Sequence, residues 1–166
     1  MDQNYILAFV KSTKNTFATM LQLDIEVGTP AIKKTKKAAH DISGIIAMTG
    51  GIEGTCVLSF ASGTAINVIK AFTGMEFKVD DDDFTDAVGE LVNMVAGGAK
   101  TLLNSSNISI SCPTVVVGEG HIVHGHRDTV CIGIPCTCGA GTFAVEIALR
   151  ETDPAKTVTT SASASA

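Results

Sequence analysis

The sequence predicts an α+β fold, a two-layer α/β sandwich in which a mixed, mostly antiparallel sheet is packed by long helices. Apolar residues recur at helical spacing in three segments, and glycine-punctuated β-branched runs fill the middle and the second half. Apolar residues make up 45% of the chain but aromatic ones only 5%, so the core must be mostly Val, Ile, Leu and Ala, which suit close packing of helices on a sheet. A chain of 166 residues has room for one such core.

Residues 4–22 place Ile6, Phe9, Val10, Phe17, Met20 and Leu21 at approximately helical spacing, with Lys11, Lys14 and Asn15 among the polar positions, the pattern of an amphipathic helix lying on a sheet. KKTKK (residues 33–37) lies between VGTPA and AAHD and is expected as a solvated loop or an edge strand blunted by lysine. DISGIIAMTGGIEGTCVLSF (residues 41–60) holds two β-branched runs joined by TGGIEG, whose glycines can take the positive φ of a tight hairpin. Ser62 is placed to cap a helix over GTAINVIKAF, and Gly74 to stop it.

DDDD (residues 80–83) lacks the spaced ligands and distal glutamate of an EF-hand loop. Its carboxylates are expected to accept bonds from the first amides of the next helix and to meet its dipole. Beyond that helix, NISISCPTVVVG, HIVHG, DTVCIGIPCTCG and TFAVEIALR suggest three or four consecutive strands. From residue 151 the Ser/Thr/Ala-rich ETDPAKTVTTSASASA has almost nothing to bury and is expected outside a folded domain of residues 1–150.

A formal charge of −5 argues against nucleic acid or an anionic membrane as main partner, because both need a clustered positive field. The first residues lack the positive start and apolar run of a secretory signal, and no stretch approaches the roughly 18 apolar residues of a membrane span. A cytoplasmic protein is expected, and its five cysteines read as reduced thiols. Cys131, Cys136 and Cys138 follow His121, His124 and His126, but C-x4-C-x-C is no zinc knuckle, and strand alternation turns Cys131 away from the other two. No metal site and no activated thiolate are expected there. GEGHIVHGH lacks the strand-to-helix setting and the lysine of a phosphate loop.

The most informative stretch is DAVGELVNMVAGGAK, residues 86–100. Down a helix axis, Val88, Leu91, Val92, Val95, Ala96, Ala99, Leu102 and Leu103 gather on one buried stripe. Asp86, Glu90, Asn93, Gly97 and Lys100 occupy the opposite face, with Glu90 and Asn93 adjacent at i,i+3. Each helical glycine costs about 0.8–1 kcal/mol against alanine, so Gly89, Gly97 and Gly98 were not selected for helix stability. Gly89 and Gly98 fall at the margins of the stripe, where close packing explains them. Gly97 leaves bare backbone beside a carboxylate and an amide, as close docking of another molecule requires.

GELVNMVAGGAK, preceded by the 41–60 hairpin and followed by ISISCPTVVVGEG, resembles the CheX family of chemotaxis phosphatases, relatives of CheC, in register from about residue 4 to 150. The resemblance implies hydrolysis of the aspartyl phosphate of a phosphorylated CheY-type response regulator. It implies that Glu90 and Asn93 form the catalytic and docking pair. From their places on the helix, and not from the resemblance, Gly97, Asp86, Met94 and Lys100 are expected as docking surface around them. CheC-type relatives repeat the motif on the first helix, where this chain has Asn15 but Ser12 in the glutamate's place, so one active face per chain is expected. The protein then needs no cofactor of its own, since Mg2+ and the charge-stabilising lysine belong to the regulator's pocket. A homodimer joined through sheet edges is also implied. The alternative is a non-catalytic binding or scaffold module, similar to the middle domain of flagellar switch proteins.

Overall fold

Asp2 opens the first helix, α1 (Gln3–Thr16), by accepting the amide of Asn4 at 2.9 Å. The helix runs on into a π-helical turn, Phe17–Leu21, which ends at Gln22 with φ 56°. Then follow β1 (Ile25–Val27), β2 (Ala31–Ile32), β3 (Ile42–Gly50), β4 (Ile52–Phe60), α2 (Ser62–Thr73), α3 (Asp82–Leu102), β5 (Ile108–Ile110), β6 (Thr114–Val117), β7 (Ile132–Cys138) and β8 (Gly141–Glu151). This computed structural model describes residues 2–104, 107–125 and 128–152.

The strands form one sheet in the order β1-β7-β8-β4-β3-β5, with β2 also on β7 and β6 also on β3. Every described pairing is antiparallel, so the mixed sheet expected from sequence is antiparallel throughout. The β3–β4 hairpin turns where expected, with Gly50 at φ 104°. Its register pairs Ile42 with Phe60 and Ile46 with Cys56, while β8 sets Val145 beside Leu58 and Ile147 beside Cys56. These side chains share one face of the sheet, and the helices cover it.

Phe9 from α1, Phe17 from the π-helical turn, Val68 and Ile69 from α2, and Phe84, Leu91 and Val95 from α3 are buried against that face. Phe17 stacks on Phe143 with ring centroids 4.8 Å apart, and Phe143 on Phe60 at 5.4 Å. Gly44 admits α3 closely, since a Cβ there would lie 3.0 Å from a Val92 methyl.

Several local expectations need correction. HIVHG is no strand, contributing only a bridge between Ile122 and Lys37. NISISCPTVVVG divides into β5 and β6 around Pro113, which has no amide to give a ladder. Ser62 does not cap α2: Ala61 holds that position, and the Ser62 hydroxyl donates to Asp41 Oδ2 at 3.1 Å. Gly74 ends the helix as expected, at φ 74°. Before α3, the Asp81 carboxylate accepts the amide of Lys78 at 2.7 Å instead of one from the helix, so only the dipole role is left, to Asp82 and Asp83 in the first turn. At the far end, Glu151 closes β8 and the Thr152 amide bonds Gly51 O, while the rest of the expected tail lies outside the described residues.

KKTKK departs furthest from its simple reading. Lys33 is not solvated, because Glu146, in the middle of β8 and buried, takes its ammonium on Oε2 at 2.5 Å. The second carboxylate oxygen accepts the Ala39 amide at 2.9 Å, and Lys33 Nζ also reaches Lys37 O at 2.7 Å. A lone buried carboxylate costs several kcal/mol, which this pairing offsets by strapping the lysine segment across the face of the sheet that the helices leave open.

Candidate functional site in the groove between the first and third helices

α3 presents Val88, Leu91, Val92, Val95, Ala96 and Ala99 to the core, as its periodicity requires. Leu102 is the exception, exposed at the end of the stripe. On the other side, Asp86 and Glu90 are exposed, whereas Asn93, Met94, Gly97 and Lys100 are half-buried. Neither the Glu90 carboxylate nor the Asn93 carboxamide makes a hydrogen bond or ion pair among the described residues.

Asn93 lines a cavity of about 730 Å3 between α3 and α1, together with Met94, Gly97, Gly98 and, from α1, Lys11 and Asn15. The three glycines of α3 have distinct causes. A Cβ on Gly89 would approach Pro113 Cγ to 3.1 Å, and one on Gly98 would meet Ser12 Oγ at 2.3 Å, so both permit packing. At Gly97 a Cβ would meet only Ile110 Cδ1, at 4.0 Å. Among the described residues nothing requires glycine there, and its absent side chain widens the groove beside Asn93.

A half-buried amide with both donor and acceptor free can position one water molecule, and a carboxylate one turn away supplies negative charge but has no partner to activate. Such an arrangement holds and orients. Among the described residues it has no paired acid and base and no cluster of metal ligands.

The family model for the chemotaxis phosphatase CheX matches residues 42–137, a segment that contains all of α3. The chain belongs to the CheX family. It is 35% identical over 122 residues to the CheY-P phosphatase CheX of Thermotoga maritima, an alignment covering 72% of this chain and 79% of that one. Its fold is similar to that of the chemotaxis protein CheX from Desulfovibrio desulfuricans, with TM-score 0.80, 32% identity, and coverage of 88% of this chain and 99% of the other. It is also similar to CheX of Borrelia burgdorferi in a complex with CheY, BeF3 and Mg2+, with TM-score 0.73, 25% identity, and coverage of 89% and 98%.

In this CheX-family chain the structure brings Asn93, Met94 and Gly97 together in the groove, while Glu90, Asp86 and Lys100 stand on the same helix outside its lining. Sequence reasoning missed the other wall. Lys11, Asn15 and Thr19 recur every four residues along the first helix and its π-turn and all line the cavity, a polar stripe legible as helical spacing but not assigned to this site. Ser12 is buried and donates to Val95 O at 2.7 Å, so the serine in the position of the relatives' second glutamate is a packing residue.

The cysteines stay apart from this chemistry. Burial pushes the Cys56 thiol up to about 12 and the Cys136 thiol up to about 11, and it also raises Cys131, where Glu146 adds to the effect. Thiols so raised are poor nucleophiles at neutral pH. Along β7, Cys136 and Cys138 share the face of Ile132 and Ile134, as alternation predicts. His126 lies outside the described residues, and among those described no three His, Cys, Asp or Glu side chains converge as metal ligands.

Proposed function

We propose that this chain accelerates hydrolysis of the aspartyl phosphate on a phosphorylated CheY-type response regulator, with Asn93 orienting the attacking water and Glu90 docking to a cation in the regulator's site. The observation that carries this reading is the unengaged carboxamide of Asn93, held on a rigid helix at the rim of a groove that Gly97 leaves open. In-line attack of water on phosphorus passes through a loose, metaphosphate-like state, which asks for positioning more than for proton transfer. Water adds to phosphorus, the bond to the aspartate oxygen breaks, and inorganic phosphate and the free carboxylate result. The Asn93 oxygen accepts a hydrogen bond from that water and so fixes its lone pair in line with the breaking bond.

Mg2+ and the charge-stabilising lysine are supplied by the regulator, so this chain contributes an amide, a carboxylate and a shape. Glu90 is exposed and has no partner among the described residues, which suits a residue whose partner arrives on another protein. A receiver-domain substrate places the reaction in the cytoplasm.

The deciding experiment measures phosphate release from a panel of phosphorylated CheY-type receivers with and without the protein. Faster release from at least one receiver is expected. Saturable binding without any acceleration would instead support the scaffold reading.

A further inference from the structure

The groove of the proposed reaction occupies the helical side of the molecule and leaves a second cavity unused. That cavity, about 810 Å3, lies on the opposite face of the sheet, within the range of roughly 300–1,000 Å3 typical of small-molecule sites. We propose that it binds a small organic anion with an apolar body.

The floor supplies the apolar part. Val57 of β4 and Ala148 of β8 are both buried, and Ile32 and Val130 expose 65% and 49% of their surface where they line the cavity. Apolar side chains left open around a concave, apolar floor favour a ligand that removes them from water.

The lysine segment supplies the charge. Lys33, Lys34 and Lys36 line the cavity against a single carboxylate, Glu146. Lys33 is already neutralised by that carboxylate at 2.5 Å, whereas Lys34 and Lys36 have no ion-pair partner among the described residues. In a chain of net charge −5, two uncompensated ammonium groups over an apolar hollow select an anion. Two further features fit a bound polar group. Thr129, also in the lining, has a buried hydroxyl with no partner among the described residues. The Lys33–Glu146 pair and the Ala39 amide bond hold the lysine segment in place, so the site is preformed. The site is small and concave, unlike the extended basic surface that nucleic acid requires.

The test uses the full chain and 8-anilinonaphthalene-1-sulfonate, an anion with an aryl body, whose fluorescence rises on binding. Its neutral counterpart N-phenyl-1-naphthylamine and phosphatidylserine vesicles serve as comparison probes. Saturable one-site binding of the sulfonate is expected, weakened at least tenfold in the exposed-site double variant Lys34→Glu/Lys36→Glu, with the neutral amine changed less than twofold. Circular dichroism melts serve to check that the double variant is folded, as expected for two exposed lysines. Gly97→Leu, in the helical groove, should leave the sulfonate affinity unchanged. The proposal is overturned if the double variant binds the sulfonate within twofold of the parent, if Gly97→Leu abolishes binding, if no soluble probe binds, or if only vesicles are retained.

Discussion

α1 and α3 wall the same groove with the same spacing of polar residues and opposite outcomes. On α3 the pair is Glu90 and Asn93, the acid exposed and the amide free at the groove. On α1 it is Ser12 and Asn15, and there the first member is buried, bonded to Val95 O at 2.7 Å and pressed against Gly98. A carboxylate in place of Ser12 would have to enter the contact between the helices, where an unpaired charge is expensive. Replacing one acid by a hydroxyl therefore turns half of a possible site into helix packing and leaves Asn15 as a groove wall without a docking partner. A motif becomes a site only where its charged member can meet solvent.

The comparison breaks most decisively at Asn93. Asn93→Ala should lower the acceleration of receiver dephosphorylation about 100-fold or more, the size of effect produced by removing one positioned group from a catalytic site. Affinity for the phosphorylated receiver should hold, because in the proposed mechanism the amide acts on water and not on the partner's surface. Single-turnover phosphate release and a binding titration read the two quantities separately, and unchanged turnover removes Asn93 from the mechanism.

Glu90→Ala should act on the other quantity. Charge-assisted hydrogen bonds contribute about 1.5–3 kcal/mol, so capture of the phosphorylated receiver should weaken about tenfold or more. Asn15→Ala is the natural control, since Asn15 has the same spacing from Ser12 but no acid beside it. Equal losses of affinity in the two variants would mean that the groove, and not the carboxylate, does the docking.

Much of this was legible in the sequence because periodicity is a local signal. The helical stripe Val88 to Ala99, the 41–60 hairpin and the β8 run each declare themselves within a short window. Less legible was whatever depended on a distant partner. Ser62 looks like a cap until Asp41 takes its hydroxyl, and the 33–37 lysines look solvated until Glu146, 113 residues away from Lys33, draws that one inward. Glu146 gave no warning, since an acid in an alternating strand is ordinarily outward and wet, and here the overlying lysine segment pairs with it. The α3 face was readable as a candidate site from residue types alone, whereas its opposing wall on α1 needed the helices to meet.

The smallest effects sharpen the comparison, because Gly97 and Gly98 are neighbours with different causes. Gly97→Ala places its Cβ in open space, 4.0 Å from Ile110 Cδ1, so the helix should gain about 0.8–1 kcal/mol and the melting temperature should rise by roughly 2–4 °C. If the open lane serves the receiver, the dephosphorylation rate falls several-fold in the same, more stable protein. Gly98→Ala should do the reverse. Its Cβ would lie 2.3 Å from Ser12 Oγ, forcing that hydroxyl off Val95 O, and the loss of about 1 kcal/mol or more from a buried hydrogen bond outweighs or cancels the gain in helix propensity. Ser12→Ala/Gly98→Ala removes the obstructing oxygen, so the double variant should melt at or above the parent while the rate stays unchanged throughout the cycle. Coupling of about 1 kcal/mol between the two sites, measured by urea denaturation, marks Gly98 as a packing residue. Strict additivity would mean that its glycine has some other cause, and the division between the two adjacent glycines would fail.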